Sequence, residues 1–253
     1  MKKIIYSALC LLSIGLAACD KDNYSGPEET FCGKFIDKET GEPFQTAMGN
    51  TGIRIRMMEY SWSDNPQPYD FNVKQDGSFM NTKIFGGEYG VTPSGAFVPL
   101  PEERIKIYGR VDKTYEVEPL LRVEWVGEPQ VNTDGSVEVK VKVTRGTTNP
   151  DYQDALAEAW LFVSETNYVG DFSFSNVYST KIAGAAIASV KLGEITTVRT
   201  GQPGGYNPGG TFTPFPDYTR KYFLRFGART TRQFDGVNRY NYSTIKEVTT
   251  PAR

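Results

Sequence analysis

The chain reads as an all-β protein built of two β-sandwich domains, and three observations carry that reading. Short runs of alternating apolar and polar residues recur along most of the length, as half-buried strands require. Turn pairs such as Asp76-Gly77, Gly86-Gly87 and Asp134-Gly135 separate these runs every ten or so positions. The composition, with 25 Gly, 15 Pro, 15 Tyr and 15 Phe among 253 residues, describes turns and strands. The length is comfortable for two small domains and long for one sandwich.

The first stretch decides where the chain goes. Lys2 and Lys3 precede an apolar run over residues 4–16, and Leu16-Ala17-Ala18-Cys19 follows. The run is too short for a membrane span, which needs about 20 apolar residues. Its charged, apolar and small-residue regions have the layout of a secretory signal. The cysteine directly after Leu-Ala-Ala resembles a bacterial lipobox. That resemblance implies a signal peptide over residues 1–18, cleavage before Cys19, and lipidation of Cys19, with the lipid bilayer as a partner. A cleaved signal without lipid is the closest rival. Residues 19–30 are polar and acidic, so a flexible tether is expected there. The start of that segment resembles the surface-export signal of Bacteroidetes lipoproteins. It implies an outer-membrane anchor that faces the surface rather than the periplasm.

The first domain is placed at residues 31–118. Ile53-Arg54-Ile55-Arg56-Met57 alternates strictly, so one face is apolar and the other cationic. Asp76-Gly77 lies between Phe71-Asn72-Val73 and Phe79 and predicts a hairpin. Ile105-Lys106-Ile107 and Tyr115-Glu116-Val117 alternate again. Gly33-Lys34-Phe35-Ile36-Asp37, Thr40-Gly41-Glu42-Pro43, Asp76-Gly77-Ser78-Phe79 and Gly87-Glu88-Tyr89-Gly90-Val91 fall in the order of the carboxypeptidase-regulatory-like, or prealbumin-like, domains. The resemblance implies a sandwich that is usually non-catalytic. The segment 60–69 is an insertion relative to that pattern.

The second domain is placed at residues 119–253. Leu121-Arg122-Val123-Glu124-Trp125 alternates, and residues 137–143 form the cleanest period-two run of the chain. Asn149 before Pro150 predicts a capped helical turn. The Ala-rich stretch 181–190 is compatible with strand or helix and is read as strand. Residues 222–228 resemble the penultimate strand of fibronectin type III domains, and 240–248 would be the last strand. On that likeness Trp160 is expected in the sandwich core, and Tyr218 or Tyr222 at the tyrosine corner. The two domains behind a lipobox resemble a Bacteroidetes lipoprotein family of unassigned function, with a prealbumin-like domain followed by an immunoglobulin-like one. The resemblance implies the neighbourhood of starch-utilisation-type outer-membrane transporters.

Composition closes several routes. There is no histidine, so neither a Ser-His-Asp or Cys-His apparatus nor an imidazole metal site can exist. No cofactor motif is present, and no cofactor is expected. A net charge of −2 gives no nucleic-acid-binding surface. Once Cys10 leaves with the signal and Cys19 carries lipid, Cys32 has no disulfide partner, and Phe31 beside it points to a buried thiol. Ser243-Thr244-Ile245-Lys246 matches a Ser-x-x-Lys pattern. On a strand those two side chains point to opposite faces, and catalysis there is not expected. Glu102 and Glu103 read as solvated loop carboxylates.

Two aromatic loops remain. The 60–69 segment sets Tyr60, Trp62 and Tyr69 among Ser, Asp, Asn and Gln. Flat rings beside hydrogen-bonding groups suit the apolar faces and hydroxyl rims of sugars. The alternative is that the rings pack back on their own sandwich. The Gly- and Pro-rich segment 200–218 carries Tyr206 and Tyr218, and its length is that of a binding loop or a mobile connector. The expected function is a non-catalytic, lipid-anchored surface protein that binds glycan or assists a glycan importer. The alternative is a structural or adhesive module with a protein partner.

Overall fold

The computed structural model describes residues 26–203 and 211–253. Cys19 and Tyr206 lie outside the described residues. The first module contains β1 (Glu29–Asp37), β2 (Arg54–Glu59), β3 (Pro68–Asn72), β4 (Ser78–Ile84), β5 (Gly87–Ser94), β6 (Glu103–Ile107) and β7 (Arg110–Val117). One sheet has the order β4-β1-β7 and the other β3-β2-β5-β6. β1 runs parallel to β7, from Thr30 opposite Arg110 to Asp37 opposite Val117. Phe31, Phe35, Ile55, Met57, Phe79, Val91 and Tyr115 fill the space between the sheets. Gly33 has a reason to be glycine: a Cβ there would sit 1.8 Å from the Lys113 carbonyl oxygen and 2.9 Å from the Phe79 ring. β7 and the Phe79 ring can therefore close on β1 only where no side chain intervenes.

The second module contains β8 (Leu121–Trp125), β9 (Gln130–Val131), β10 (Val137–Arg145), β11 (Leu156–Ser164), β12 (Thr180–Ala183), β13 (Ile195–Arg199) and β14 (Arg220–Thr230). A small hairpin follows, β15 (Gln233–Phe234) and β16 (Val237–Asn238), and then β17 (Asn241–Tyr242) and β18 (Lys246–Thr250). One sheet is β13-β10-β8 with β9 beside β10. The other is β12-β11-β14, with β17 and β18 both on β14. The alternating valines of β10, from Val137 to Val143, face Leu161, Val163, Tyr222, Leu224 and Phe226 in the core. The all-β, two-sandwich class is thus as expected.

Both modules contain the same turn. The Asp76 carboxylate accepts from the Ser78 backbone N–H (3.0 Å) and hydroxyl (2.7 Å), and Asp134 does the same for Ser136 (2.9 and 2.7 Å). Gly77 and Gly135 supply the positive φ, 80° and 81°, that closes each turn.

Several sequence expectations need correction. Asp76-Gly77 forms a tight turn, but β3 and β4 lie in different sheets, so it carries the chain across the sandwich and no hairpin forms. Trp160 is buried on the opposite side of β11 from the sandwich core, in a cluster with Ala47, Phe162, Val169, Tyr240 and Tyr242. Tyr222 packs inside the core against Phe215, 4.2 Å between ring centres, and Tyr218 is exposed. Neither hydroxyl makes a tyrosine-corner bond to backbone among the described residues. The 181–190 stretch is strand only to Ala183; residues Gly184–Ser189 form a 3-10 turn. The last strand is broken between Tyr242 and Lys246. Asn149 does cap the 3-10 turn Pro150–Tyr152, accepting from Asp151 N–H at 3.0 Å.

The modules meet through polar side chains that finish each other's backbone. Arg225 on β14 is fully buried. Its guanidinium donates to the carbonyls of Thr46 (3.0 Å) and Gln75 (3.0 Å) in the first module, and of Val169 (3.2 Å) and Ser243 (3.1 Å) in the second. It lies 4.4 Å from the centre of the Tyr242 ring. Burial pulls its pKa down to about 10, which leaves it charged at neutral pH. Arg122 grips Asp37 with two bonds of 2.5 and 3.0 Å, and the Asn241 amide donates to the Ala96 carbonyl at 2.8 Å. Arg54 on β2 pairs with Asp235 in the β15–β16 turn at 2.9 Å.

Candidate functional site

The outer face of the β3-β2-β5-β6 sheet carries the candidate site. Arg104, Lys106 and Tyr108 are spaced two apart, so they share one face of β6 and its continuation. Glu88 pairs with Lys106 across the sheet, and Gly90 with Arg104. Tyr60 continues the outward row of β2. These residues, with Ser61 and Asp64 from the 60–67 loop, line a cleft of about 530 Å³.

The cleft is set by a chain of contacts. A Cβ at Gly90 would lie 2.5 Å from the Glu102 carboxyl, so the glycine leaves room for Glu102 to fold over the sheet. Glu102 pairs with Arg104 Nε at 3.2 Å. The Arg104 guanidinium then stacks on the Tyr60 ring, 3.4 Å from its centre. Glu102 is thus exposed in its loop, as expected, but also ion-paired, and Glu103 at the start of β6 pairs with Lys113 at 2.5 Å. The loop itself is pinned at its base. Tyr60 N–H donates to Glu88 carbonyl at 2.8 Å, and Glu88 N–H donates to the Ser61 hydroxyl at 2.6 Å. Trp62 and Tyr108, each 65% exposed, are the two most exposed large hydrophobic side chains among the described residues.

The expected site residues do not converge. Tyr60 lines the cleft with its ring covered, and Trp62 stands just beyond it. Tyr69, 46% exposed, sits across β3 from Met57 and so belongs to the core-facing row. Its hydroxyl accepts from Asn81 Nδ2 at 2.7 Å and its ring lies 6.2 Å from Phe71. Tyr69 is thus a packing residue at the sheet edge. Tyr218 accepts from Arg220 at 3.3 Å in the second module. The segment around it is fixed by Thr200 N–H to Val137 carbonyl and Phe215 N–H to Gly135 carbonyl, at the start of β10. Among the described residues, Tyr60 and Trp62 thus belong to the first module and Tyr218 to the second, and they do not form one site. The residue missed in the sequence is Tyr108. The alternation of Ile105-Lys106-Ile107 already puts it on the outward face.

A second hollow, about 430 Å³, lies on the outer face of β11 and β14 near Thr51 of the first module. Glu158 dominates it. Lys181 (3.3 Å), Arg229 (3.0 Å) and the Tyr240 hydroxyl all engage its carboxylate. Burial raises the Glu158 pKa, but the bonds from Tyr240 and Arg229 and the charges of Arg229 and Lys181 outweigh it and hold it at about 2. The Trp160 ring there is stacked on Phe162 (5.1 Å, 6°) on one side, with Lys181 lying 4.8 Å from its centre. With the Glu158 carboxylate engaged on three sides and the Trp160 indole packed, this hollow offers less to a ligand than the Tyr108 cleft. Among the described residues no group of three or more His, Cys, Asp or Glu could hold a metal ion. Among those residues no helix is long and apolar enough to cross a membrane.

Comparison with known proteins places the chain. Residues 29–118 match the family described as protein of unknown function (DUF3823), N-terminal domain. The crystal structure of a DUF3823 family protein from Bacteroides uniformis is 31% identical, with a TM-score of 0.75, over 90% of this chain and 100% of that one. A second B. uniformis structure, described as a candidate carbohydrate-binding protein, is 19% identical with a TM-score of 0.67, over 89% of this chain and 100% of that one. A DUF3823 family protein from Parabacteroides merdae is 15% identical with a TM-score of 0.62, over 88% of this chain and 100% of that one. These two show a shared fold. No curated protein sequence matches the chain. The identity to the first B. uniformis structure, sustained over nearly the whole length, shows that this chain belongs to the DUF3823 family.

Proposed function

We propose that the chain is a non-catalytic glycan-binding protein, anchored at the outer membrane by lipid on Cys19 and acting beside a glycan importer. The observation that carries this reading is the Tyr108 cleft. An exposed phenol ring stands beside Asp64, Glu88, Arg104 and Lys106, which can donate to and accept from sugar hydroxyls. The contacts from Gly90 through Glu102 to Arg104 hold the polar groups in place before any ligand arrives, which lowers the entropic cost of binding. The description of a same-fold B. uniformis protein as a candidate carbohydrate binder agrees with it.

Affinity gels and calorimetry against a panel of polysaccharides test the reading. At least one should bind, and Tyr108→Ala should weaken that binding. Retention of full affinity by the Trp62→Ala, Tyr108→Ala double variant would remove the cleft from consideration.

A further inference from the structure

We propose that the Trp62, Phe85 and Tyr108 end of the first sandwich seats against the headgroup layer of the bilayer, so that the cleft opens at the membrane surface. This rests on the lipid anchor at Cys19. The first support is the direction of the chain. β1 starts at Glu29 and ends at Asp37, which grips Arg122 of the second module. Its nine residues span roughly 30 Å. The first-module residues that meet the second module through Arg225, Asn241 and Arg122, namely Thr46, Gln75, Ala96 and Asp37, mark the far end. The second sandwich is therefore remote from the tether.

The second support is where the tether enters. The Glu29 carboxylate accepts from Gly109 N–H, and Thr30 N–H donates to the Gly109 carbonyl at 2.9 Å. Gly109 follows Tyr108. Gly86, next to Phe85, lies so near that a Cβ there would be 3.1 Å from the Tyr108 ring. The chain thus enters at the foot of the exposed aromatics. Residues 19–28, ten in all, reach no more than about 35 Å even when fully stretched. An anchor on Cys19 keeps this end close to the lipid.

The third support is chemical. Trp62 and Tyr108 are each 65% exposed and Phe85 is 48% exposed. The Trp62 indole and the Tyr108 phenol, each an apolar body with a polar edge, favour the boundary between water and hydrocarbon, and Phe85 adds apolar surface beside them. The cleft beside them would then meet saccharide held at the membrane surface.

The full acylated chain in phosphatidylcholine–phosphatidylglycerol vesicles provides the test, with bromine on the acyl chains near the headgroups. Subtracting the emission of Trp62→Phe isolates Trp62 from Trp125 and Trp160. The expected result is a Trp62 signal that shifts to the blue, is strongly quenched by brominated lipid, and is shielded from aqueous iodide. A protein that co-floats with the vesicles while Trp62 stays open to iodide and blind to bromine overturns the proposal. Failure to co-float overturns the anchor and the proposal together. Glycan binding by the protein in solution is judged separately from both.

Discussion

Arg225 donates to the carbonyl of Thr46 at 3.0 Å, so a central strand of the second sandwich is completed by a loop of the first. The two residues are 179 positions apart in sequence. Two further backbone carbonyls, those of Val169 and Ser243, depend on the same guanidinium, while that of Gln75 also accepts from Thr46 N–H at 3.0 Å. Removing it would leave several buried acceptors without a donor, each costing about 1–3 kcal/mol. Arg225→Met should therefore destabilise the protein by about 3–5 kcal/mol, despite adding an apolar side chain of similar length. Urea unfolding should also change from one transition to two, as the modules lose their joint. Arg225→Lys should recover only part of the loss, because one ammonium cannot reach all four carbonyls. A single unshifted transition in Arg225→Met would show that the junction is held by its apolar contacts.

Acid should act in part through Glu158, alongside Asp37, Asp70 and Asp76, whose pKa values are also lowered. Its folded pKa of about 2 lies below its ordinary value of 4.5. The stabilisation is therefore present above about pH 4.5 and is lost as pH falls through about 2. Its size is on the order of 3 kcal/mol. Asp171 works in the opposite sense, since burial raises its pKa against the bond from Tyr242. Thermal melts of Glu158→Gln from pH 7 to pH 2 should show lower stability at neutral pH and a flatter acid limb. An acid limb as steep as that of the unchanged protein would place the titration elsewhere.

Much of the fold was legible because β-strands report their faces through alternation. The runs at 53–57, 105–107 and 137–143 name their buried sides correctly. The method fails where polar residues stop marking a side. Trp160-Leu161-Phe162-Val163 is apolar throughout, and both its faces are buried, one in the sandwich and one at the junction. Arg225 between Leu224 and Phe226 reads as a solvent-facing position, and only the other module shows otherwise. Turn chemistry at Asp76-Gly77 was readable, but it is local and does not say which strands pair. In the candidate site, the aromatic segment at 60–69 was visible, while Tyr108 was missed although the alternation of Ile105-Lys106-Ile107 carries its signal. The packing of Glu102 over Gly90 was not visible, since it joins residues from different strands with no periodic signal.

Cys32 should be slow to react. Burial raises its thiol pKa, and the hydrogen bond to Asp112, 3.5 Å away, raises it further. It lies outside the main core cluster, on the outward side of β1, across from Met80 on β4 and Asp112 on β7. The thiolate is the reactive form, so both causes protect it. Labelling with an aromatic disulfide at pH 8 should be slow in the native protein and complete within seconds in denaturant. Asp112→Ala should speed native labelling modestly. Fast native labelling would mean that β1 opens locally at its tether end.

The cleft and the sheet edge should respond differently to loss of their tyrosines. Tyr108 has an exposed ring beside polar groups. The Tyr69 hydroxyl is occupied by Asn81, and its ring lies on Phe71. For a polysaccharide that binds, Tyr108→Ala should weaken affinity by about three- to tenfold, the order of one lost ring contact of up to about 1.5 kcal/mol. Tyr69→Ala should leave affinity within about twofold and lower the melting temperature instead. Gly90→Val separates the two effects further. Its side chain would displace Glu102, release Arg104 from its pairing and disturb the stack on Tyr60, without touching Tyr108. Weaker binding by Gly90→Val with an unchanged circular dichroism spectrum would show that affinity depends on the prior placement of Arg104. Equal losses from Tyr69→Ala and Tyr108→Ala would instead point to general loosening of the sheet, and the ligand would then have to be sought on another face.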